Sequence, residues 1–317
     1  MSDFAFIFPG QGSQFIGMGK DLAESFSTAK AVFEEVDEAL GQNLSGLMWS
    51  GSEDELTLTA NTQPALMAVS VAAMRALEEA HGIGPAQAKF VAGHSLGEYS
   101  ALASAGAISV GDCAKVLRIR GNAMQDAVPS GQGAMAALLG ASPEQAAALC
   151  AAGASEGPCE IANDNAPGQI VISGAKPAVE LAISGAKEAG VKKAVLLPVS
   201  APFHCSLMQP AADAMSEALA EIEIKAPSVP LVANVTASAS SDPDAIRQQL
   251  VDQVTGQVRW TESVQYMAGE GIKTMIEAGA GKVLSVMNRR TVRELEGLTM
   301  GSPEQIEAVA ERLNGAS

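Results

Sequence analysis

Five residues constrain this chain more than any others: Gly93-His94-Ser95-Leu96-Gly97. Apolar Phe90-Val91-Ala92 comes before them, and the helix-forming run Glu98-Tyr99-Ser100-Ala101-Leu102 comes after. A G-x-S-x-G pattern set between a strand and a helix is what a nucleophile elbow requires. Its glycines permit a sharp turn, and the serine hydroxyl projects from the top of a sheet. The helix start also favours negative charge developing beside it.

The surrounding hydrophobic pattern supports such a sheet. Residues 4–8 read as a buried strand ended by Pro9-Gly10. Residues 21–40 put Leu22, Phe26, Ala29, Val32, Phe33, Val36 and Leu40 on one helical face, and 64–80 form a second helix with Gly82 as its C-cap. A strand at 89–92 and helices through 105 and over 110–127 follow. Strands alternating with helices predict a largely parallel sheet. From 129 to 200 the order becomes β-α-β-β-α-β, with strands at 134–139, 160–162, 169–173 and 193–197. The helices there are one opened by Ser142-Pro143-Glu144 and one over 177–189. This is the order of a ferredoxin-like unit. We therefore expect residues 129–200 to form a small subdomain inserted in a core of 1–128 and 201–317. That core resumes with helices at 207–221 and 244–254, strands at 230–234 and 272–276, and helices beyond.

Composition excludes several function classes. Across 317 residues, 20 Lys and Arg face 36 Asp and Glu, a formal net charge of −16. That balance argues against non-specific binding to nucleic acid or to an anionic membrane. Hydrophobic residues make up 47%, enough for a large core and too many for intrinsic disorder. Cys113, Cys150, Cys159 and Cys205 lie far apart without a C-x-x-C pair, against a disulfide framework or zinc site. The opening MSDFAFIFPGQGSQ has no charged n-region or secretory h-region. An uninterrupted apolar run of about 18 residues, as a membrane span needs, is also missing. A soluble, cytoplasmic protein is expected.

A serine nucleophile needs a base, and the chain has three histidines. His94, adjacent to Ser95, reads as a residue supporting the elbow, and His81, beside Gly82 at a helix end, as a surface residue. Elimination leaves His204, in Ala201-Pro202-Phe203-His204, and serine before histidine is the α/β-hydrolase chain order. The group orienting the imidazole stays open. Asp213, Asp242, Asp244 and Asp252 stand in no distinctive motif, and a backbone or side-chain carbonyl serves as well. Gly10-Gln11-Gly12 is a weak phosphate-loop match, because no G-K-S/T follows. By spacing alone, Arg118 and Arg120 read as surface arginines on different helix faces.

Four stretches carry a family resemblance: Phe8-Pro9-Gly10-Gln11-Gly12-Ser13-Gln14, Gly93-His94-Ser95-Leu96-Gly97-Glu98-Tyr99, Asn163-Asp164-Asn165-Ala166-Pro167-Gly168-Gln169 and Pro202-Phe203-His204. In this order and spacing the chain resembles the malonyl-CoA:acyl-carrier-protein transacylases over nearly its whole length. The resemblance implies a hydrolase-like core with a ferredoxin-like subdomain, Ser95 as nucleophile and His204 as its partner. It implies that the main-chain carbonyl of Gln253 orients His204 and that the N–H groups of Gln11 and Leu96 form the oxyanion hole. Arg120 would bind the malonyl carboxylate through a planar fork that lysine lacks. Phe203 would leave little room for an α-methyl branch, and His94, Asn163 and Asn165 would line the cleft, though a turn role suits the asparagines equally. One departure is Glu277-Ala278-Gly279-Ala280-Gly281-Lys282, where many relatives carry Gly-Pro-Gly; alanine there is expected to loosen the loop.

The implied activity is malonyl transfer from malonyl-CoA to the phosphopantetheine thiol of acyl carrier protein, by a monomer, without metal or redox cofactor. It would supply extender units for fatty-acid synthesis. The alternatives are a serine esterase or thioesterase, a malonyltransferase serving a polyketide synthase, and a non-catalytic carrier-binding module. Because acyl carrier proteins are acidic, a basic patch is expected near the cleft mouth, with Lys192, Lys193, Lys282, Arg289 and Arg290 as candidates.

Overall fold

The computed structural model describes residues 2–199 and 201–315. Met1, Ala316 and Ser317 lie outside the described residues, as does Ser200, which stands at the expected junction between subdomain and core. The strands are β1 (Phe4–Phe8), β2 (Phe90–Gly93), β3 (Gly133–Leu139), β4 (Cys159–Ala166), β5 (Gln169–Ala175), β6 (Lys193–Leu196), β7 (Leu231–Val232), β8 (Ala239–Ser240), β9 (Thr274–Ala278) and β10 (Glu296–Met300). They form a mostly parallel sheet of order β10-β9-β1-β2-β7-β8 and a separate sheet of order β4-β5-β3-β6. Only the β7–β8 hairpin breaks the parallel run of the first sheet. The second is antiparallel throughout.

The strand β1 shows why the first sheet is covered on both sides. Phe6 and Phe8 enter a core shared with the helices Thr59–His81, Gly97–Ser104, Val110–Asp126 and Gln209–Ala220. Ala5 and Ile7 face the opposite core, built on Trp260, Val264, Met275 and Leu284. Alternation between two buried faces makes such a strand a continuous apolar run. The second sheet packs one face on the helices Pro143–Gly153 and Lys176–Ser184. Its other face presents Met135, Ala162 and Val171, against which Leu197, Val199 and Phe203 lie. It is tied to the larger layer at several points. Val258 N–H donates to Ala162 O at 2.8 Å, Asp164 N–H to Val258 O at 3.0 Å, and Ser206 N–H to the Glu160 carboxylate at 3.0 Å.

Several element boundaries differ from expectation. The 21–40 helix is two helices, Lys20–Ser25 and Ser27–Leu40, broken at Phe26, whose backbone is extended. The break has a tertiary cause: the Glu79 carboxylate accepts from the Ser27 hydroxyl and from the Thr28 N–H and hydroxyl, capping the second helix from outside. Two short helices without a counterpart in the sequence pattern follow, Leu44–Ser50 and Glu53–Thr57. The helix expected over 64–80 starts at Thr59, so Pro64 lies inside it rather than at its head. The helix expected over 177–189 ends at Ser184. Helix Trp260–Gly269 and strand β10 had no counterpart in the reading. Arg118 is half-buried and donates to Gln42 Oε1 at 2.6 Å, correcting its solvated assignment. His81 is partly covered, its ring 3.1 Å from Glu307. In the loop at Gly279-Ala280-Gly281, Ala280 is buried and Gly279 N–H donates to Met300 O. Among the described residues, no helix is long and apolar enough to cross a membrane.

Candidate active site

The loops after β1, β2 and β7 meet at the C-terminal edge of the parallel sheet, where open α/β sheets place their ligand sites. Gly93 and Gly97 make the turn after β2 possible by their size. A Cβ on Gly93 would lie 1.9 Å from Gly97 C, and one on Gly97 would lie 2.2 Å from Phe8 O. Neither glycine has positive φ. The strained residue is Ser95 itself, at φ 53°, a conformation non-glycine residues adopt rarely. Asn234, two residues past β7, holds it there. Ser95 N–H donates to Asn234 Oδ1 at 2.8 Å, while Asn234 Nδ2 donates to Gly93 O at 2.6 Å.

Ser95 Oγ is 2.8 Å from His204 Nε2. His204 Nδ1 is 2.9 Å from the main-chain oxygen of Gln253. A carbonyl can only accept, so Nδ1 carries the proton and Nε2 is free to receive one from the serine. Burial, reinforced by the Arg120 charge, pushes the His204 pKa down to about 3. The imidazole is therefore neutral at pH 7, the form a general base needs. The carbonyl fills the position an acid would take, and none of Asp213, Asp242, Asp244 or Asp252 bonds His204.

Arg120 is 1% exposed and spans the floor of the site. It donates to Gln63 Oε1 and Gln253 Oε1, each at 2.8 Å, and to Ser95 Oγ at 3.1 Å. Its guanidinium lies 5.6 Å from the centre of the Tyr99 ring. The surface reading of Arg120 from spacing alone is thus corrected. Gln63 continues the network through Thr59 to Gln11.

His94 turns the other way from Ser95. Its Nε2 is 2.7 Å from Asn165 Oδ1, its ring packs near Trp260, and burial lowers its pKa. Asn163 and Asn165 lie in β4, not in a turn; Pro167-Gly168 makes the turn, with Gly168 at φ 74°. Gln11, His94, Ser95, Leu96, Arg120, Asn163, Asn165, Phe203 and His204 all line one cleft of about 200 Å³, and Gln253 stands behind His204. Met135, Val171, Leu197 and Val199 supply an apolar wall from the second sheet. None of Lys192, Lys193, Lys282, Arg289 and Arg290 lines it; all five are exposed.

Glu98 and Asn234 had no role in the sequence reading. Both are fully buried. Glu98 Oε2 accepts from Gln253 Nε2 at 2.8 Å and from Asn234 N–H at 3.1 Å. Burial raises its pKa to about 7 against these donors and the Arg120 charge. One signal was available for Glu98: a charge inside the otherwise small and apolar helix Gly97–Ser104, seven of whose residues are buried. Asn234 has no comparable signal, since nothing local marks what its side chain reaches.

The site as a whole couples a serine to a neutral imidazole and sets an arginine beside both, an arrangement suited to acyl transfer from an anionic acyl group. The comparisons agree. Residues 5–311 match the family model described as the acyl transferase domain. The chain is 47% identical over 314 residues to "Malonyl CoA-acyl carrier protein transacylase" of Bacillus subtilis (strain 168), covering 99% of this chain and 98% of that one. The crystal structure of acyl-carrier-protein-S-malonyltransferase from Bartonella henselae is 55% identical, covers 99% of this chain and 100% of its own, and superposes with a TM-score of 0.96. A malonyl-transacylase solved in complex with its type II polyketide acyl-carrier protein is 41% identical, covers 98% and 100%, and gives a TM-score of 0.94. This chain belongs to the acyl transferase domain family and, within it, to the malonyl CoA-acyl carrier protein transacylases.

Proposed function

We propose that the protein moves the malonyl group of malonyl-CoA to the phosphopantetheine thiol of an acyl carrier protein through a malonyl ester on Ser95. The observation that carries this reading is Ser95 Oγ shared between His204 Nε2 at 2.8 Å and Arg120 Nη2 at 3.1 Å. His204 takes the hydroxyl proton as Ser95 attacks the thioester carbonyl. The oxyanion is received by the N–H groups of Gln11 and Leu96; losing one such donor typically costs about 3–4 kcal/mol of barrier. Collapse expels the CoA thiolate, which recovers the proton from His204. The carrier thiol then gives its proton to His204, attacks the ester and releases Ser95. Arg120 holds the free malonyl carboxylate bidentately, and Phe203 closes the space an α-methyl branch would need. His94 and Asn163 belong to the substrate-binding wall.

The same proposal treats residues 129–200 as a ferredoxin-like subdomain inserted in a hydrolase-like core of 1–128 and 201–317. The β6-β3-β5-β4 order supports the first assignment, and the strand–Ser95–helix turn the second. The enzyme is taken to be a cytoplasmic monomer serving fatty-acid synthesis; four free, buried cysteines suit a reducing compartment.

Intact-mass analysis after mixing with malonyl-CoA tests the mechanism: the parent gains one malonyl group and Ser95→Ala gains none. Labelling that persists in Ser95→Ala, or rapid hydrolysis of malonyl-CoA without a carrier, would exclude transfer through Ser95 in favour of another nucleophile or an esterase. Arg120→Ala is expected to lose malonyl capture far more than acetyl capture, and equal losses would remove the carboxylate-clamp role.

A further inference from the structure

The side chain of Gln253 is not used by the transfer chemistry, which needs only its main-chain carbonyl. Yet it is fully buried and makes four polar contacts, the longest from its Nε2 to Asn234 Oδ1 at 3.5 Å. Its Oε1 accepts from Arg120 Nη2 at 2.8 Å; its Nε2 donates to Glu98 Oε2 at 2.8 Å and to Ser95 O at 3.0 Å. An amide satisfies such a set in one orientation only, oxygen toward the arginine and nitrogen toward the acceptors. Glu98 in turn accepts the Asn234 N–H, and the Asn234 side chain holds both Ser95 and Gly93. One carboxylate thus anchors the Gln253 side-chain amide, which aims Arg120, and the backbone of Asn234, whose side chain holds the strained Ser95.

We propose that Glu98 is a positioning residue that, through the side-chain amide of Gln253, sets the pose of Arg120 and with it the preference for a carboxylated acyl group. This rests on Arg120 being the carboxylate clamp. Among the described residues, Arg120 has no carboxylate within hydrogen-bonding distance: its partners are two amide oxygens and a hydroxyl. Its aim therefore depends on neutral acceptors, each of which must itself be held. Gln63 is held by Thr59, and Gln253 by Glu98. Burial raises the Glu98 pKa, while its bonds from Gln253 and the Asn234 N–H pull it back, so these donors favour the carboxylate form in the interior. Glu98 never reaches the cleft, so it acts only through these partners.

The test compares kcat/KM for malonyl-CoA and acetyl-CoA in Glu98→Gln, Glu98→Leu and Gln253→Leu, with folding followed by thermal melting. Glu98→Gln keeps an acceptor at the Oε2 position and is expected to retain the malonyl-over-acetyl preference within about threefold. Glu98→Leu removes the acceptor and is expected to reduce that preference by about tenfold or more, the scale of one buried hydrogen bond. Gln253→Leu keeps the carbonyl that orients His204 and is expected to match Glu98→Leu, so it carries the test if the latter does not fold. An unchanged preference in the leucine variants, equal loss of both substrates, or no rescue by Glu98→Gln would overturn the proposal. Arg120→Ala separates the two readings. If it loses discrimination while the leucine variants keep it, the clamp stands and the role of Glu98 falls.

Discussion

His204 and Glu98 sit within one hydrogen-bond network, and burial moves their protonation in opposite senses. The His204 pKa is pushed down to about 3, so the folded enzyme holds a neutral base at pH values where a free imidazole is already charged. Glu98 is pushed up to about 7 and titrates near neutrality. Any acid limb near pH 7 in the parent therefore belongs to the carboxylate rather than the base. In Glu98→Gln, kcat/KM for malonyl-CoA, which reports the free enzyme, is expected to stay flat between pH 8 and 5; an acid limb at pH 6–7 in that variant would give His204 an ordinary imidazole pKa. The signs differ for stability as well. Below its ordinary value of 6.5 the unfolded chain protonates His204 and the native state does not, so this group costs stability as pH falls toward 3. For Glu98 the native state holds the extra proton between 4.5 and 7, so stability is lost as pH rises across that window. Denaturant unfolding of Glu98→Gln is expected to lack that second loss; an identical pH dependence in parent and variant would show that Glu98 titrates normally.

Among the helices, Val110–Asp126 does most to build the site, because it places Arg120 on the floor of the cleft. It reaches that depth because Gly121 lets it approach helix Thr59–His81 closely: a Cβ at Gly121 would lie 2.5 Å from Ala60 Cα. Gly121→Ala must push the two helices apart. It is expected to destabilise the fold by about 1–3 kcal/mol, the usual cost of overpacking, and to weaken malonyl over acetyl capture by shifting Arg120. A melting temperature and selectivity equal to the parent would show that the helix contact is soft. The same contact explains part of what was illegible beforehand. Arg120 is marked as interior by no local pattern, since its helix carries charges on several sides and an arginine defaults to the surface. The break at Phe26 was hidden for a similar reason: the periodicity over 21–40 is unbroken, and the capping Glu79 comes from a helix about fifty residues further on.

For the molecule as a whole, the cleft lies where the second sheet leans its apolar face, Met135 and Val171, over the loops of the first. A negative enzyme meeting an acidic carrier needs local positive charge, and Arg289 and Arg290 offer it. Both are exposed at the last turn of helix Val283–Thr291. Arg290 also donates to Gln169 Oε1 at 2.7 Å, next to the end of the second sheet. Reversing both charges is expected to raise KM for the carrier several-fold, more at low salt than at high, and to leave KM for malonyl-CoA unchanged. Equal effects on both substrates would count against a docking role.

What could be read directly from the amino acids was local in origin. The strand–turn–helix around Ser95, the β-α-β-β-α-β run and the Ser142 cap each follow from neighbours within a few residues, and all appear in the structure. The family resemblance pointed to Gln11, His94, Ser95, Leu96, Arg120, Asn163, Asn165, Phe203 and His204, which meet in the cleft. It did not point to Thr59, Gln63 or the apolar wall of Met135, Val171, Leu197 and Val199 beside them. The hydrogen bonds among those residues could not be read in the same way, because they join positions far apart in the chain. Glu98 reaches Gln253 across 155 residues and Asn234 across 136, and burial shifts its pKa only once those contacts enclose it. Chain patterning specifies which faces are apolar; which buried polar groups satisfy one another is decided when the layers close.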